Sequence, residues 1–229
     1  MKLAIMQPYL FPYLGYFQLI KSVDAFVVYD DVNYIKGGWI NRNFIFSQGD
    51  KLLITMPLKS ASPNQFINQI IVGDGQNKLL ESIRHGYSKA PQFKIIFPII
   101  EAILLQQEKN LAKFLTFGLL HICEYLGIHP KWHISSELKK DNNLFGQEKV
   151  LAICKELGAT QYINVPGGKE LYDRKYFATK RMQLSFIQPN SIAYSQFGKE
   201  FIPNLSIIDV MMFNNRQQCV RLLEEYVLV

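Results

Sequence analysis

Side chains that could bind or transform a ligand are concentrated in three segments, each of which follows a predicted β-strand. The first segment, residues 7–16, contains Gln7, Tyr9 and Tyr16 among prolines and a glycine. Amide and hydroxyl groups can form directional hydrogen bonds, whereas proline and glycine fix a turn. We interpret the segment as a ligand-facing loop, with Gln7 and Tyr16 as candidate catalytic residues and Tyr9 as a substrate contact. A rigid turn packed on core aromatics is the alternative.

The second segment begins with two adjacent acids, Asp30 and Asp31. Either carboxylate could serve as a general base, and a pair could bind a metal that bridges to phosphate. Successive residues of a strand face opposite sides of a sheet, so if the strand continues through both acids we expect only one of the two to face a given site. The other is then a turn or capping residue. Both are candidate catalytic residues at this stage.

The remainder of the second segment is basic, glycine-containing and aromatic. Trp39 offers a flat face on which a base or sugar can stack, and Arg42 can hold an anion through two parallel hydrogen bonds. The candidate substrate-binding residues here are Tyr34, Lys36, Trp39, Asn41 and Arg42.

The third segment, residues 164–172, contains Gly167, Gly168, Lys169 and Tyr172. Glycines let backbone amides approach a phosphate or carboxylate closely, and Lys169 adds positive charge. The spacing differs from that of a P-loop. An anion cradle and a helix-capping turn remain alternatives, and all four residues are candidates for substrate binding.

The histidines and serines argue against a zinc hydrolase and a serine hydrolase. His129 and His133 are four residues apart, but Pro130 lies between them, so the helical spacing of metal ligands is not established. No G-x-S-x-G elbow is present, and Ser135-Ser136 has no recognisable base partner. We therefore predict no metal ligands.

Alternating strand and helix patterns must position these segments. Residues 2–6 and 25–29 read as strands around a helix at 13–21, which predicts a parallel crossover. A hairpin turns at residues 48–50, a strand is expected at 66–72, and residues 76–127 are predicted to form a helical layer. Further strands are predicted near 132–135, 161–164 and 183–188, with a helix near 147–157 and a Ser206–Asp209 capping box opening another. The fold class is thus α/β, with a mainly parallel sheet, flanking helices, an inserted hairpin and a helical middle layer.

Composition limits the class of protein. The 229 residues carry a net charge of +6, and 48% are hydrophobic, which is typical of a folded chain rather than a disordered one. We expect one domain over residues 1–229, with a sub-lobe boundary near 139–146. Three widely spaced cysteines indicate a reducing compartment, so a cytoplasmic location is expected. No segment reads as a membrane span.

The sequence resembles the WbqC-like protein family over nearly its whole length. The resemblance rests on MQPYLFPYLGYFQLIKSVDAFVVYDDVNYIKGGWINRNFI at residues 6–45, YSKAP at 87–91, ISSEL at 134–138, LGATQYI at 157–163, Tyr194 and FIPNLSIID at 201–209. Asn164-Val165 and Asn215 depart from the residues expected in the later motifs. These departures affect the expected acceptor specificity more than the fold.

The resemblance implies a role in bacterial surface-polysaccharide synthesis, including O-antigen. It favours transfer of an acyl or aminoacyl group, such as glycyl, to the amine of a nucleotide-linked amino sugar. The donor stays open among acyl-CoA, an acyl carrier protein and aminoacyl-tRNA. The alternatives are a nucleotidyltransferase-like or acyl-adenylate-forming enzyme using ATP and magnesium, and a non-catalytic partner of a glycan pathway.

Overall fold

The computed structural model describes residues 1–168, 170–198 and 200–229, and in these ranges strands and helices alternate. The strands are β1 (Lys2–Met6), β2 (Ala25–Val28), β3 (Arg42–Ser47), β4 (Asp50–Thr55), β5 (Leu58–Lys59), β6 (Ile71–Val72), β7 (Lys131–Ile134), β8 (Gln161–Asn164), β9 (Gln183–Pro189) and β10 (Tyr226–Leu228). The helices are α1 (Leu14–Lys21), α2 (Gln76–Tyr87), α3 (Phe93–Leu104), α4 (Leu111–Leu126), α5 (Gly146–Glu156), α6 (Arg174–Thr179), α7 (Ile207–Phe213) and α8 (Arg216–Leu222).

The central sheet has the strand order β10-β9-β8-β1-β2-β7, and β10 alone among these six is antiparallel to its neighbour. The predicted α/β class with a mainly parallel sheet is therefore confirmed. The chain leaves β1 toward β2 on one side, and β8 later pairs with β1 on the other. Ligands of open α/β sheets bind at the carboxyl ends of strands beside such a reversal of strand order.

Helices cover both faces of the sheet. One face packs against α1, the layer of α2 to α4, and α7. The other packs against α5 and α6. The predicted apolar stripe of α4, which includes Leu111, Phe114 and Leu126, is buried on the first face. Full burial stabilises each such side chain by about 1.5–3 kcal/mol.

The inserted hairpin is formed by β3 and β4, as predicted. Its turn residues Gln48 and Gly49 both have positive φ, at 51° and 87°, which matches the twist required between adjacent strands. Arg42 is the first residue of β3 rather than part of the preceding loop.

The prediction of a strand at residues 66–72 is wrong for most of this range. Ile67–Gln69 forms a turn of 3-10 helix, and β6 contains only Ile71–Val72. The Gln69 side chain accepts a hydrogen bond from the Phe66 amide at 2.9 Å, which closes a turn where the apolar pattern suggested extended backbone.

Candidate functional site

The loop that follows β1 is held in a strained conformation by two distant side chains. Phe11 has φ 43°, an unusual value for a bulky residue. Its carbonyl accepts hydrogen bonds from Asn43 Nδ2 at 2.7 Å and from the Ser206 hydroxyl at 2.8 Å. These bonds fix the β1 loop, residues 7–13, so that Tyr9 and Tyr13 project to one side of it.

Tyr9 and Trp39, which come from two predicted segments, lie in one pocket of about 230 Å³. We call it the Trp39 pocket, and it is lined by Tyr9, Pro12, Tyr13, Trp39, Asn43, Phe44 and Asn204. Trp39 is 48% exposed, so its ring is available to a ligand. Burial and the neighbouring Tyr13 raise the pKa of Tyr9 to about 12, so this side chain keeps its hydroxyl proton near neutral pH. The pocket joins flat aromatic faces to amide groups.

Arg42 supports the Trp39 side chain. Its guanidinium lies 5.6 Å from the centre of the Trp39 ring, while its Nε donates to the Gly38 carbonyl at 2.9 Å and its Nη2 donates to the Gly37 carbonyl. Lys36 is exposed on the same loop. Arg42 therefore stabilises the loop through its hydrogen bonds and also places a cation beside the Trp39 ring.

Three candidate residues of the first two segments are buried and hydrogen-bonded within the protein. Tyr16 is fully buried and donates to the Gln7 carbonyl at 2.7 Å. Tyr34 donates to Asn41 Oδ1 at 2.9 Å, and Asn41 Nδ2 donates to the Met56 carbonyl at 2.7 Å. These contacts hold the loops in place. Gln7 itself is half-buried, and Tyr9 donates to its Oε1 at 3.4 Å.

The Asp30 side chain links three segments of the chain through hydrogen bonds. Oδ1 accepts from the Ser136 amide at 2.9 Å, while Oδ2 accepts from the Ser136 hydroxyl at 2.6 Å and from Asn68 Nδ2 at 3.1 Å. The residue is only 3% exposed. With three donors already bound, Asp30 matches the turn-residue interpretation better than that of a free base.

Asp31 has different partners from Asp30, although β2 ends at Val28 and strand alternation therefore does not apply to the pair. Its Oδ2 is 2.9 Å from Lys140 Nζ and 3.1 Å from Lys149 Nζ. Lys149 also donates to the Asp31 carbonyl at 2.7 Å, and Lys140 donates to the Ser135 carbonyl. These four residues, Asp31, Ser135, Lys140 and Lys149, form the Asp31 cluster. Two ammonium groups around one carboxylate give the cluster a surplus positive charge.

The electrostatics of the cluster favour an ionised Asp31. Burial acts to raise the pKa of Asp31, but the neighbouring Ser135 hydroxyl and the two lysine ammonium groups outweigh it, and the net shift is downward. Asp31 Oδ1 and the Ser135 hydroxyl are buried without a well-formed hydrogen bond to any described residue. Each can therefore accept a hydrogen bond from a further group.

Sequence reasoning missed both lysines of this cluster. Lys149 lies on α5 with Val150, Ile153 and Cys154, all of which are buried. Helical periodicity thus places a lysine on an apolar face, a signal that could have identified it. Lys140 lies in a turn-rich loop whose residues show no periodicity.

The third segment is closely packed around Gly168. Gly168 is buried, and a Cβ there would lie 2.4 Å from Asn164 Nδ2 and 3.3 Å from Tyr172 Cε2. The Tyr172 ring lies 5.7 Å from that of Tyr162. Gly167 is exposed with open space around its Cα. Lys169 lies outside the described residues, so its role as a substrate contact stays a prediction.

The C-terminal motif is structural. Ser206 caps α7 by accepting from the Ile208 amide at 3.2 Å. Asp209 does not complete the expected capping box. Instead its buried carboxylate accepts from Tyr87 at 2.9 Å and from Tyr194 and Gln196 at 2.6 Å each. Burial raises the pKa of Asp209 despite these three hydrogen bonds.

The described part of the chain lacks two kinds of feature. Within it, no group of three or more His, Cys, Asp or Glu side chains is arranged to hold a metal ion. None of its helices has the length and apolar character needed to cross a bilayer.

Comparison with known proteins gives one family and one relative. The family model described as the WbqC-like protein family matches residues 7–220. An uncharacterized protein of Mycobacterium tuberculosis is 29% identical over 218 residues, which cover 93% of each chain. No solved structure matches the chain.

Proposed function

Because the chain belongs to the WbqC-like protein family, we propose that it is a transferase of bacterial surface-polysaccharide synthesis. In this proposal it attaches an acyl or aminoacyl group, such as glycyl, to the amine of a nucleotide-linked amino sugar. The convergence of Tyr9 and Trp39 on one pocket carries the proposal.

The Trp39 pocket suits a ring with apolar faces and polar edges. Aromatic side chains pack against the faces of sugar or base rings, while amides hydrogen-bond to the edges. Tyr9 and Trp39 supply the faces, and Asn43 and Asn204 lie beside them. Arg42 at the rim supplies the cation that a sugar-linked phosphate needs.

The reaction requires a neutral amine. Its nitrogen forms an amide bond to the acyl carbon, the bond from that carbon to the donor's leaving group breaks, and the amine loses a proton. A carboxylate with a lowered pKa is a weak acceptor of that proton. Asp31 is therefore a poor base for this step, and the departing group of the donor takes the proton.

The fluorescence of Trp39 provides a test of the proposal. The chain has two tryptophans, so W132F leaves Trp39 as the one indole. In this background, nucleotide-linked amino sugars should change the Trp39 fluorescence in a saturable way. Incubation with acyl-CoA, an acyl carrier protein or aminoacyl-tRNA should then add the acyl mass to the sugar. Absence of both binding and product across the panel contradicts the proposal.

A second candidate function rests on the Asp31 cluster. Its surplus positive charge lies at the carboxyl ends of β2 and β7, where it can attract a phosphate. This favours the acyl-adenylate-forming alternative, in which ATP and magnesium activate the acyl group. Magnesium-dependent release of pyrophosphate that K149M abolishes would support this alternative. An assay that detects no release of pyrophosphate would exclude it.

A further inference from the structure

The Trp39 pocket adjoins a second pocket, and we call the two together the groove. The second pocket has a volume of about 310 Å³, and Tyr13 and Asn204 line both. Sites for small ligands typically span about 300–1,000 Å³. The Trp39 pocket, at about 230 Å³, falls below that range, and the second pocket lies at its lower end.

The described residues that line the groove carry no charge. None of the described residues that line either pocket is Asp, Glu, Lys or Arg. A diphosphate placed along this groove would lose hydration without a lining cation to replace it. The described lining therefore favours a ligand whose second part is neutral.

The chemistry of the second pocket resembles that of the first. Tyr13, Tyr194 and Phe201 present aromatic surface, and Asn190, Ser191 and Asn204 present amide and hydroxyl groups. This is again the combination that suits a ring with apolar faces and hydroxylated edges.

Gln18, on the floor of the second pocket, has an unused acceptor. Its Nε2 donates to the Leu222 carbonyl at 2.9 Å and to the Glu225 carbonyl at 3.0 Å, which fixes the orientation of the amide. Its Oε1 is buried without a partner among the described residues. Buried polar atoms are rarely left unpaired, so this oxygen is suited to a hydroxyl donor that enters the pocket, either directly or through a water.

We propose that the two pockets are adjoining subsites for an uncharged saccharide of at least two rings. The inference rests on the proposed function in one respect, the placement of a sugar ring in the Trp39 pocket, and it adds that an uncharged second ring can occupy the neighbouring pocket. Asn204, which has φ 59°, forms the boundary between the subsites.

Binding of two probes to the full W132F chain tests the proposal. The probes are N-acetylglucosamine and its β1,4-linked disaccharide, titrated against Trp39 fluorescence. We expect the disaccharide to bind at least about tenfold more tightly, because the second ring adds an aromatic contact and hydrogen bonds.

Ser191 and Ser195 supply a matched pair of variants. Both are exposed, but Ser191 lines the second pocket and Ser195 lines neither. S191F should fill the second subsite, remove the advantage of the disaccharide and leave the affinity for the monosaccharide within about twofold. S195F should preserve the advantage.

The outcomes separate the two proposals. If a nucleotide-linked amino sugar binds and is acylated while the disaccharide has no advantage, the two-ring inference fails and the proposed function stands. Equal behaviour of S191F and S195F also overturns the inference. If no sugar changes the Trp39 fluorescence, both proposals fail.

Discussion

The Ser206 hydroxyl donates to the Phe11 carbonyl at 2.8 Å and so joins two residues 195 positions apart. Ser206 simultaneously caps α7, and Phe11 is the strained residue of the β1 loop. One side chain thus connects the C-terminal motif to the loop that carries Tyr9. The two motifs therefore share a structural role, which is to fix the conformation of the loop that carries Tyr9.

Removing this hydroxyl should loosen the loop. S206A leaves the Phe11 carbonyl with Asn43 alone and removes the cap of α7. We expect the free energy of unfolding to fall by about 1–3 kcal/mol and sugar binding to the Trp39 pocket to weaken. Chemical denaturation and Trp39 fluorescence in the W132F background measure both. S195A, an exposed control, should stay within about 0.5 kcal/mol; equal effects of the two variants would contradict this role.

The contacts of the Asp31 cluster predict how strongly three substitutions should lower the free energy of unfolding relative to one another. D31N leaves two buried ammonium groups without their carboxylate, which should cost about 3–5 kcal/mol. K149M should cost less, because Asp31 keeps Lys140 at 2.9 Å. K155M changes an exposed lysine on the same helix and should be nearly neutral. Denaturant titration of the three variants tests the order, and a K149M cost no larger than that of K155M would show that the Lys149 contact adds no stability.

The same cluster predicts a dependence on pH. The folded-state pKa of Asp31 lies below its ordinary value of 3.8, so its stabilising contribution is fully present above that value. As pH falls below 3.8 and through the folded pKa, the contribution is lost. The stability difference between the natural protein and D31N should therefore be constant above about pH 5 and shrink in more acidic solution. A difference independent of pH would contradict the ionised state of Asp31.

The sequence predicted the parallel sheet well because its strands and the α4 stripe have regular hydrophobic patterns. It also placed Tyr9 and Trp39 among the ligand contacts, and the structure brings these two together. Tyr16 and Asn41 show the limit of such reasoning. A hydroxyl or amide after a strand looks the same in sequence whether it faces a ligand or a backbone carbonyl, and both bind carbonyls here.

Lys140 shows a second limit. Its ammonium group reaches Asp31 from a loop more than a hundred residues later in the chain. Such pairing depends on how β7 and α5 pack against β2, and no local pattern records it. Lys149 was accessible in principle, because its position on the buried face of α5 conflicts with its charge.

The glycine pair in the third segment gives the last prediction. A Cβ on Gly168 would lie 2.4 Å from Asn164 Nδ2, whereas a Cβ on Gly167 meets nothing within 4 Å. Because Asn164 is buried, its amide has little room to move, so G168A should lower the free energy of unfolding by about 1–3 kcal/mol. G167A should change it by less than about 0.5 kcal/mol.

The double variant N164A/G168A separates crowding from other causes. If the Asn164 amide is what the new methyl group meets, G168A should cost less in the N164A background than in the natural protein, and the two changes will not be additive. Denaturation of the four proteins of this cycle measures the coupling. Strict additivity would mean that Gly168 is required for its backbone and not for the close approach of Asn164, and the segment would then be a turn whose glycines serve its own conformation.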